Sequence, residues 1–160
     1  MRDTLYNGRP FRTLNVIDEG NRESLRIECG TSIPSARLVS AMDQLIEVYG
    51  APEAIRMDNG PEMTSETFTE WTKEKGTLLL FIQPGKPNQN AFVGRFNRSF
   101  RDEVLDANLF NSIAEAQEAV EVWVMACNQF RPHESLDDKT PMEFMPRTFK
   151  TGISSFELST

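Results

Sequence analysis

Histidine and cysteine are scarce in this chain of 160 residues, which has one His and two Cys. Cys29 and Cys127 stand far apart, and His133 has no second histidine to pair with. That excludes a disulfide-stapled fold and a zinc site built from closely spaced Cys and His. Two buried, reduced thiols are expected, as in a protein of a reducing compartment. Long hydrophobic runs are also missing. None approaches the roughly 20 apolar residues of a membrane span, and Met1-Arg2-Asp3-Thr4 does not read as a secretory leader. No membrane partner is expected. There is no internal repeat and no low-complexity segment.

The most telling absence is local. The chain carries a net charge of −7, yet no Asp or Glu occurs between Lys75 and Arg101. Within that interval Lys75, Lys86, Arg95, Arg98 and Arg101 are all basic. The overall charge argues against a surface that grips nucleic acid everywhere, whereas a basic strip on an acidic body can hold phosphates locally and salt-sensitively. With 39% hydrophobic and 26% charged residues, the chain has the makeup of one ordinary globular domain with a real core.

Taken in order, residues 1–6 read as the end of a strand, and Asn7-Gly8 as a hairpin turn. Phe11–Ile17 and Ser24–Cys29 are the next two strands, with a turn at Asp18-Glu19-Gly20-Asn21. The first strand is short beside its partner and is expected to begin before Met1. Pro34–Tyr49 has a helical apolar face, with Pro34 suited to the first helical position. Glu53–Met57 is a brief strand and Thr64–Lys75 a helix with Phe68 and Trp71 inward. Thr77–Ile82, almost wholly apolar, is expected to be a strand covered on both faces. After a loop at Gln83–Gln89, a helix over Asn90–Leu105 turns Phe92, Val93, Phe96, Phe100 and Val104 inward. Ser112 and Glu115 form a capping box for the next helix, whose stripe is Ile113, Ala116, Val120, Trp123, Cys127 and Phe130. Thr140-Pro141-Met142-Glu143 caps a last short helix. Residues 1–147 are expected to form one domain, and 148–160 a loosely ordered tail.

Two stretches carry the chemistry: Arg56-Met57-Asp58-Asn59-Gly60-Pro61-Glu62, and Gly85-Lys86-Pro87-Asn88-Gln89-Asn90 running into Ala91-Phe92-Val93-Gly94-Arg95-Phe96-Asn97-Arg98. A third, Asn128, Arg131-Pro132-His133, Leu136 and Thr140-Pro141 with Glu143, closes the pattern. From Arg9 to about Met145 this wording resembles the catalytic core of bacterial insertion-sequence transposases, relatives of retroviral integrases. The resemblance implies a ribonuclease H-like α/β fold. Its mixed five-stranded sheet would have three antiparallel and then two parallel strands, flanked by helices, with the first strand truncated. It also implies a bacterial cytoplasmic protein that acts on DNA, both transposon ends and target, and self-associates.

The family cuts and joins DNA with two Mg²⁺ (or Mn²⁺) ions about 3.5–4 Å apart, held by three carboxylates because hard ions take oxygen ligands. The resemblance assigns the second carboxylate to Asp58, as metal ligand and catalytic residue. It places the first upstream of Met1. It puts the third, a Glu, at the position held by Gly94. One acid of three cannot assemble a tight two-metal site, so the chain is expected to be inactive and to bind no metal tightly. A glycine inside a helix costs about 1 kcal/mol relative to Ala, and on the polar face no packing demands it. Asn90, Arg98 and Arg101 share that face. With Lys86 and Asn88 of the preceding loop they are the candidate DNA contacts. Two other readings stay open: a non-enzymatic ribonuclease H-like module that binds nucleic acid or dimerises, and a nuclease using another acid set such as Asp58, Glu62 and Asp3. Asp18 reads as a turn residue, and His133 as a possible site-edge group.

Overall fold

The computed structural model describes residues 1–83, 91–146 and 156–159. The strands are β1 (Arg2–Thr4), β2 (Pro10–Asp18), β3 (Ser24–Gly30), β4 (Ala54–Met57), β5 (Leu78–Phe81) and β6 (Phe156–Ser159). The helices are α1 (Ser35–Tyr49), α2 (Glu66–Lys75), α3 (Ala91–Phe100), α4 (Ile113–Phe130) and α5 (Pro141–Phe144). α3 runs on through a wider π-type turn at Arg101–Leu105.

Several boundaries follow from identifiable local chemistry. Ser65 accepts a hydrogen bond from the Phe68 N–H and starts α2, and Gly76 ends it in the left-handed conformation at φ 69°, open to glycine at no steric cost. Ser112 accepts from the Glu115 N–H, but the Glu115 carboxylate reaches back to Asn111 N–H, one residue before the expected partner. At α5 the reciprocal box between Thr140 and Glu143 is complete. Pro34 proves to be the residue before α1 rather than its first residue.

β2 is the hub of the sheet. One edge pairs antiparallel with β3. Its other edge is shared: β1 covers Pro10 to Arg12, and β6 covers Asn15 to Asp18. β6 also pairs parallel with β4, and β4 pairs parallel with β5. The sheet is therefore mixed, as expected, but has six strands rather than five. The sixth comes from residues placed in the loosely ordered tail. β6 joins the antiparallel and parallel halves, and the buried Leu158 (1% exposed) is what anchors it. Both β6 and β1 run antiparallel to β2, with only the pairing positions opposite Thr13 and Leu14 between Ser159 and Arg2. Together they trace the line of a single longer strand.

The alternation of β2 sends Leu14 and Val16 to one face and Phe11 to the other. On the first face they meet Leu38, Met42, Phe68 and Trp71 of α1 and α2. On the second, Phe11 meets Phe100, Val120 and Trp123 of α3 and α4. The stripe of α4 buries Ala116, Val120, Trp123 and Cys127, but Phe130 at its end is 74% exposed. β5 is not covered on both faces: Leu78 is 61% and Phe81 44% exposed. Among the described residues it is the last strand of the sheet, pairing only with β4, so an apolar sequence sits on an edge. Among the described residues no helix is long and apolar enough to cross a membrane.

Candidate active site and nucleic-acid face

Asp58 follows β4 directly, half-buried at the carboxyl end of a parallel strand. Its Oδ1 accepts the Gly60 N–H at 2.9 Å, the turn that Asp-Asn-Gly favours because a short carboxylate can bond the backbone two residues on. A Cβ added at Gly60 would lie 3.0 Å from that Oδ1 and 3.4 Å from Glu62 Oε1. Both carboxylates thus crowd Gly60, and a side chain there would require them to shift by a few tenths of an ångström. Glu62 is buried and bound by Arg12, whose Nη2 donates to Oε1 at 2.8 Å. Glu62 is committed to that pair. Asp3, on β1, accepts its neighbour's Thr4 N–H.

Met1 reports what surrounds this point. Its amine donates to the Thr13 carbonyl at 2.7 Å. Burial pushes its pKa down to about 5; Arg12 and Arg101 push the same way, while Asp58 and Glu62 pull it back up. Asp58 and Arg101, predicted from the sequence as site residues, are therefore neighbours of one buried group. α3 and its continuation reach β2 and β1. Asn15 Nδ2 donates to Asn97 Oδ1 at 2.8 Å and contacts Met1 Sδ at 3.6 Å, while Arg101 Nη2 donates to the Arg2 carbonyl at 2.9 Å. Gly94 is one turn before Asn97 and Arg98. It is exposed, and a Cβ built there meets nothing within 4 Å. Among the described residues no close approach of another backbone explains this glycine.

The basic strip divides on folding. Lys75 turns back onto α1, pairing with Asp43 at 2.9 Å, and Arg101 lies 3.4 Å from Asp106. Arg98 is exposed on α3 and carries no ion pair among the described residues. Lys86, Asn88 and Asn90 lie outside the described residues. Asp18 is structural: its Oδ1 accepts the Gly20 N–H at 2.7 Å. Asn128 locks α4 to β3 through both the N–H and the carbonyl of Ser24. His133 bridges backbone to Lys139, and its ring is 6.5 Å from that of Phe92, on the far side of α3. Both thiols are buried, and burial raises each to about 11, so neither is a nucleophile near neutrality.

Sequence reasoning missed Arg12 and Asn15. An uncharged amide within the apolar run Leu14-Asn15-Val16-Ile17 was the available signal, because a buried Asn in a strand needs a partner. No group of three or more His, Cys, Asp or Glu among the described residues could hold a metal. Asp58 Oδ1 accepts the Gly60 N–H while its carboxylate keeps a second oxygen, Glu62 is paired with Arg12, and Gly94 offers no oxygen. This donor set does not fit a two-ion site.

The integrase core domain family matches residues 3–87, and a second integrase core model matches residues 75–141. The chain belongs to the integrase core family. It is 41% identical over 142 residues to a 39.2 kDa protein of insertion element IS476 from Xanthomonas euvesicatoria, and 37% identical over 142 residues to a 31.7 kDa protein of insertion element IS407 from Burkholderia multivorans. Each match covers 89% of this chain but only 41% and 51% of those relatives, so this integrase core spans about half their length. The magnesium-bound catalytic core of HTLV-2 integrase superposes with a TM-score of 0.67 at 20% identity, over 90% of both chains. The ribonuclease H-like fold implied by the sequence is thereby established, and the insertion-element relationship with it.

Proposed function

We propose that this chain is the core of a transposase whose intact form cuts and joins DNA by two-metal phosphoryl transfer, and that the chain itself is inactive. The observation that carries the second half is the open space at Gly94, where an added Cβ meets nothing within 4 Å among the described residues. A carboxylate would fit there and none is present. In the intact form Asp58 would serve as metal ligand for Mg²⁺ or Mn²⁺, with the Gly94 position and an acid upstream of Met1 completing the set. Arg98, Arg101 and Asn90, with Lys86 and Asn88, are the proposed DNA contacts. They would fix strand position through phosphates rather than read sequence. Self-association is supported by the outer face of α4, where Val122 and Met125 are 70% and 57% exposed. A bacterial cytoplasmic location accords with the insertion-element relatives.

The test is a nicking and strand-transfer assay with Mg²⁺ or Mn²⁺. The chain should give no product. Gly94→Glu, together with an upstream extension carrying the family's first Asp, should give product that disappears in Asp58→Ala. Cleavage by the unaltered chain, lost in Asp58→Ala, would instead establish a nuclease with another acid set. The clamp of Arg12 on Glu62 disfavours that reading, since it leaves the proposed second acid unavailable.

A further inference from the structure

Behind α3, away from Asp58, lies a cavity of about 540 Å³ between that helix, the end of α4, the β2–β3 turn and the His133 segment. Its size is within the roughly 300–1,000 Å³ usual for small-ligand pockets. Its walls combine two features that seldom occur together by chance. One is aromatic: Phe92, Phe96 and Trp123, with Phe96 edge-on to Trp123 at 5.3 Å. The other is cationic: Arg22, Arg95 and Arg131 all line it. Among the described residues only Arg131 has a carboxylate partner, Glu103. Glu103 also accepts from Trp123 Nε1 at 2.6 Å, so it fixes a guanidinium and an indole together. Among the described residues Glu134 is the one carboxylate on the lining, and it is exposed.

Arg22 shows that the cationic wall is built rather than incidental. Its guanidinium carbon lies 4.4 Å from the centre of the Phe92 ring, held by attraction to the π face. Its backbone sits at φ +64°, a left-handed conformation that costs a non-glycine residue of order 1 kcal/mol or more. His133 stands within reach of all three guanidiniums; burial first, and then Arg131, Arg22 and Arg95, lower its pKa. It therefore presents a neutral ring, and not a fourth charge, near pH 7.

An occupant must be anionic at one end and flat and aromatic at the other. We propose that this cavity binds one nucleotide of a DNA strand, its base packed against the half-buried Phe92 and Phe96, with Trp123 behind them, and its phosphate held between Arg22 and Arg95. Stacking of this kind tolerates any base, since each has a π face, so the site grips a strand without reading it. Arg98 follows Arg95 by three residues and turns toward the Gly94 face. A strand crossing α3 there would pass from the Asp58 side to the cavity over successive guanidiniums. The inference goes beyond the cleavage proposal, because it requires neither metal nor Asp58.

The full chain, labelled with ¹⁵N, would be titrated with dAMP, adenosine, inorganic phosphate and a short single-stranded oligodeoxynucleotide. The indole N–H of Trp123 is the reporter, and that of Trp71, buried in the other core, the internal control. The oligonucleotide and dAMP should move Trp123 and leave Trp71 in place, the oligonucleotide binding more tightly; phosphate and adenosine alone should bind at least tenfold more weakly, since each supplies one half of the contact. Arg95→Gln, at an exposed position, and Arg22→Asn, which suits the left-handed backbone, should each lower oligonucleotide affinity about tenfold or more. Leu109→Ala, at an exposed residue outside the cavity lining, should leave it unchanged, and the titration needs neither metal nor cleavage, which separates failure here from failure of the transposase reading. An unmoved Trp123 overturns the proposal, as does phosphate binding as tightly as dAMP, which marks a simple anion site. Tighter binding of dAMP than of the oligonucleotide would also reject a strand as the occupant, in favour of a free nucleotide.

Discussion

Leu158→Ala tests the least expected element of the fold. Leu158 is 1% exposed and packs in the core formed by β2, β4, α1 and α2. Its strand is the one connection between the β2 ladder and the β4 ladder among the described residues. Truncating a buried Leu to Ala costs about 2–5 kcal/mol, according to how far the cavity collapses. Against a typical domain stability of about 5–15 kcal/mol, that is a large share. For a domain of this length each kcal/mol moves the Tm by about 2–4 °C, so a fall of roughly 4–20 °C is expected. Thermal and urea unfolding of the intact chain followed by circular dichroism would measure it. Leu109→Ala, at a residue 75% exposed, is the control and should shift stability by less than about 0.5 kcal/mol. If the two variants behaved alike, β6 would not be a central strand, and the two halves of the sheet would have to be joined in some other way.

Gly94→Glu should raise stability by about 0.5–1 kcal/mol, the helix-propensity gain of replacing glycine where the new side chain meets nothing; a loss of stability in the same melts would show that the glycine is needed for packing. Arg12→Ala leaves Glu62 buried without its partner, and about 2–4 kcal/mol of destabilisation is expected, toward the lower end because the Arg12 side chain is 26% exposed. Arg12→Ala combined with Glu62→Gln should recover part of it, and a double variant as unstable as the single one would argue against the pair. For His133 the folded pKa lies below its ordinary value because of burial and the three nearby guanidiniums. The unfolded chain therefore takes up the proton first, so its contribution is present above about pH 6.5 and is lost as pH falls through the lower folded value. His133→Gln should flatten the stability profile below that pH, and a profile parallel to the parent's would rule out the assignment.

The order of elements was legible because local chemistry wrote it. Hydroxyls at Ser112 and Thr140 mark helix starts, Gly76 marks an end, and the apolar spacing of α1 and α4 names their buried faces. The candidate site was legible in part, through the multi-residue wording around Asp58 and Gly94. What escaped depends on which strand lies beside which. The apolar run at Leu78–Phe81 reads identically at the centre or the edge of a sheet, and only the pairing shows it to be the edge. Phe92 and Phe96 fit an inward helical stripe, yet both are only half-buried and line a cavity whose other walls come from α4 and the β2–β3 turn.

By itself the sequence determined the family and the alternation of strands and helices, since each depends on residue identity and short-range spacing. Tertiary structure alone decided that Phe156–Ser159 fills the gap between β2 and β4, that Arg12 claims Glu62, and that Arg22, Arg95 and Arg131 converge behind α3. Those outcomes join residues far apart in the chain. Their free energy comes from backbone pairing, burial and charge contacts that exist only once the chain has closed on itself, and no periodicity along the sequence encodes them.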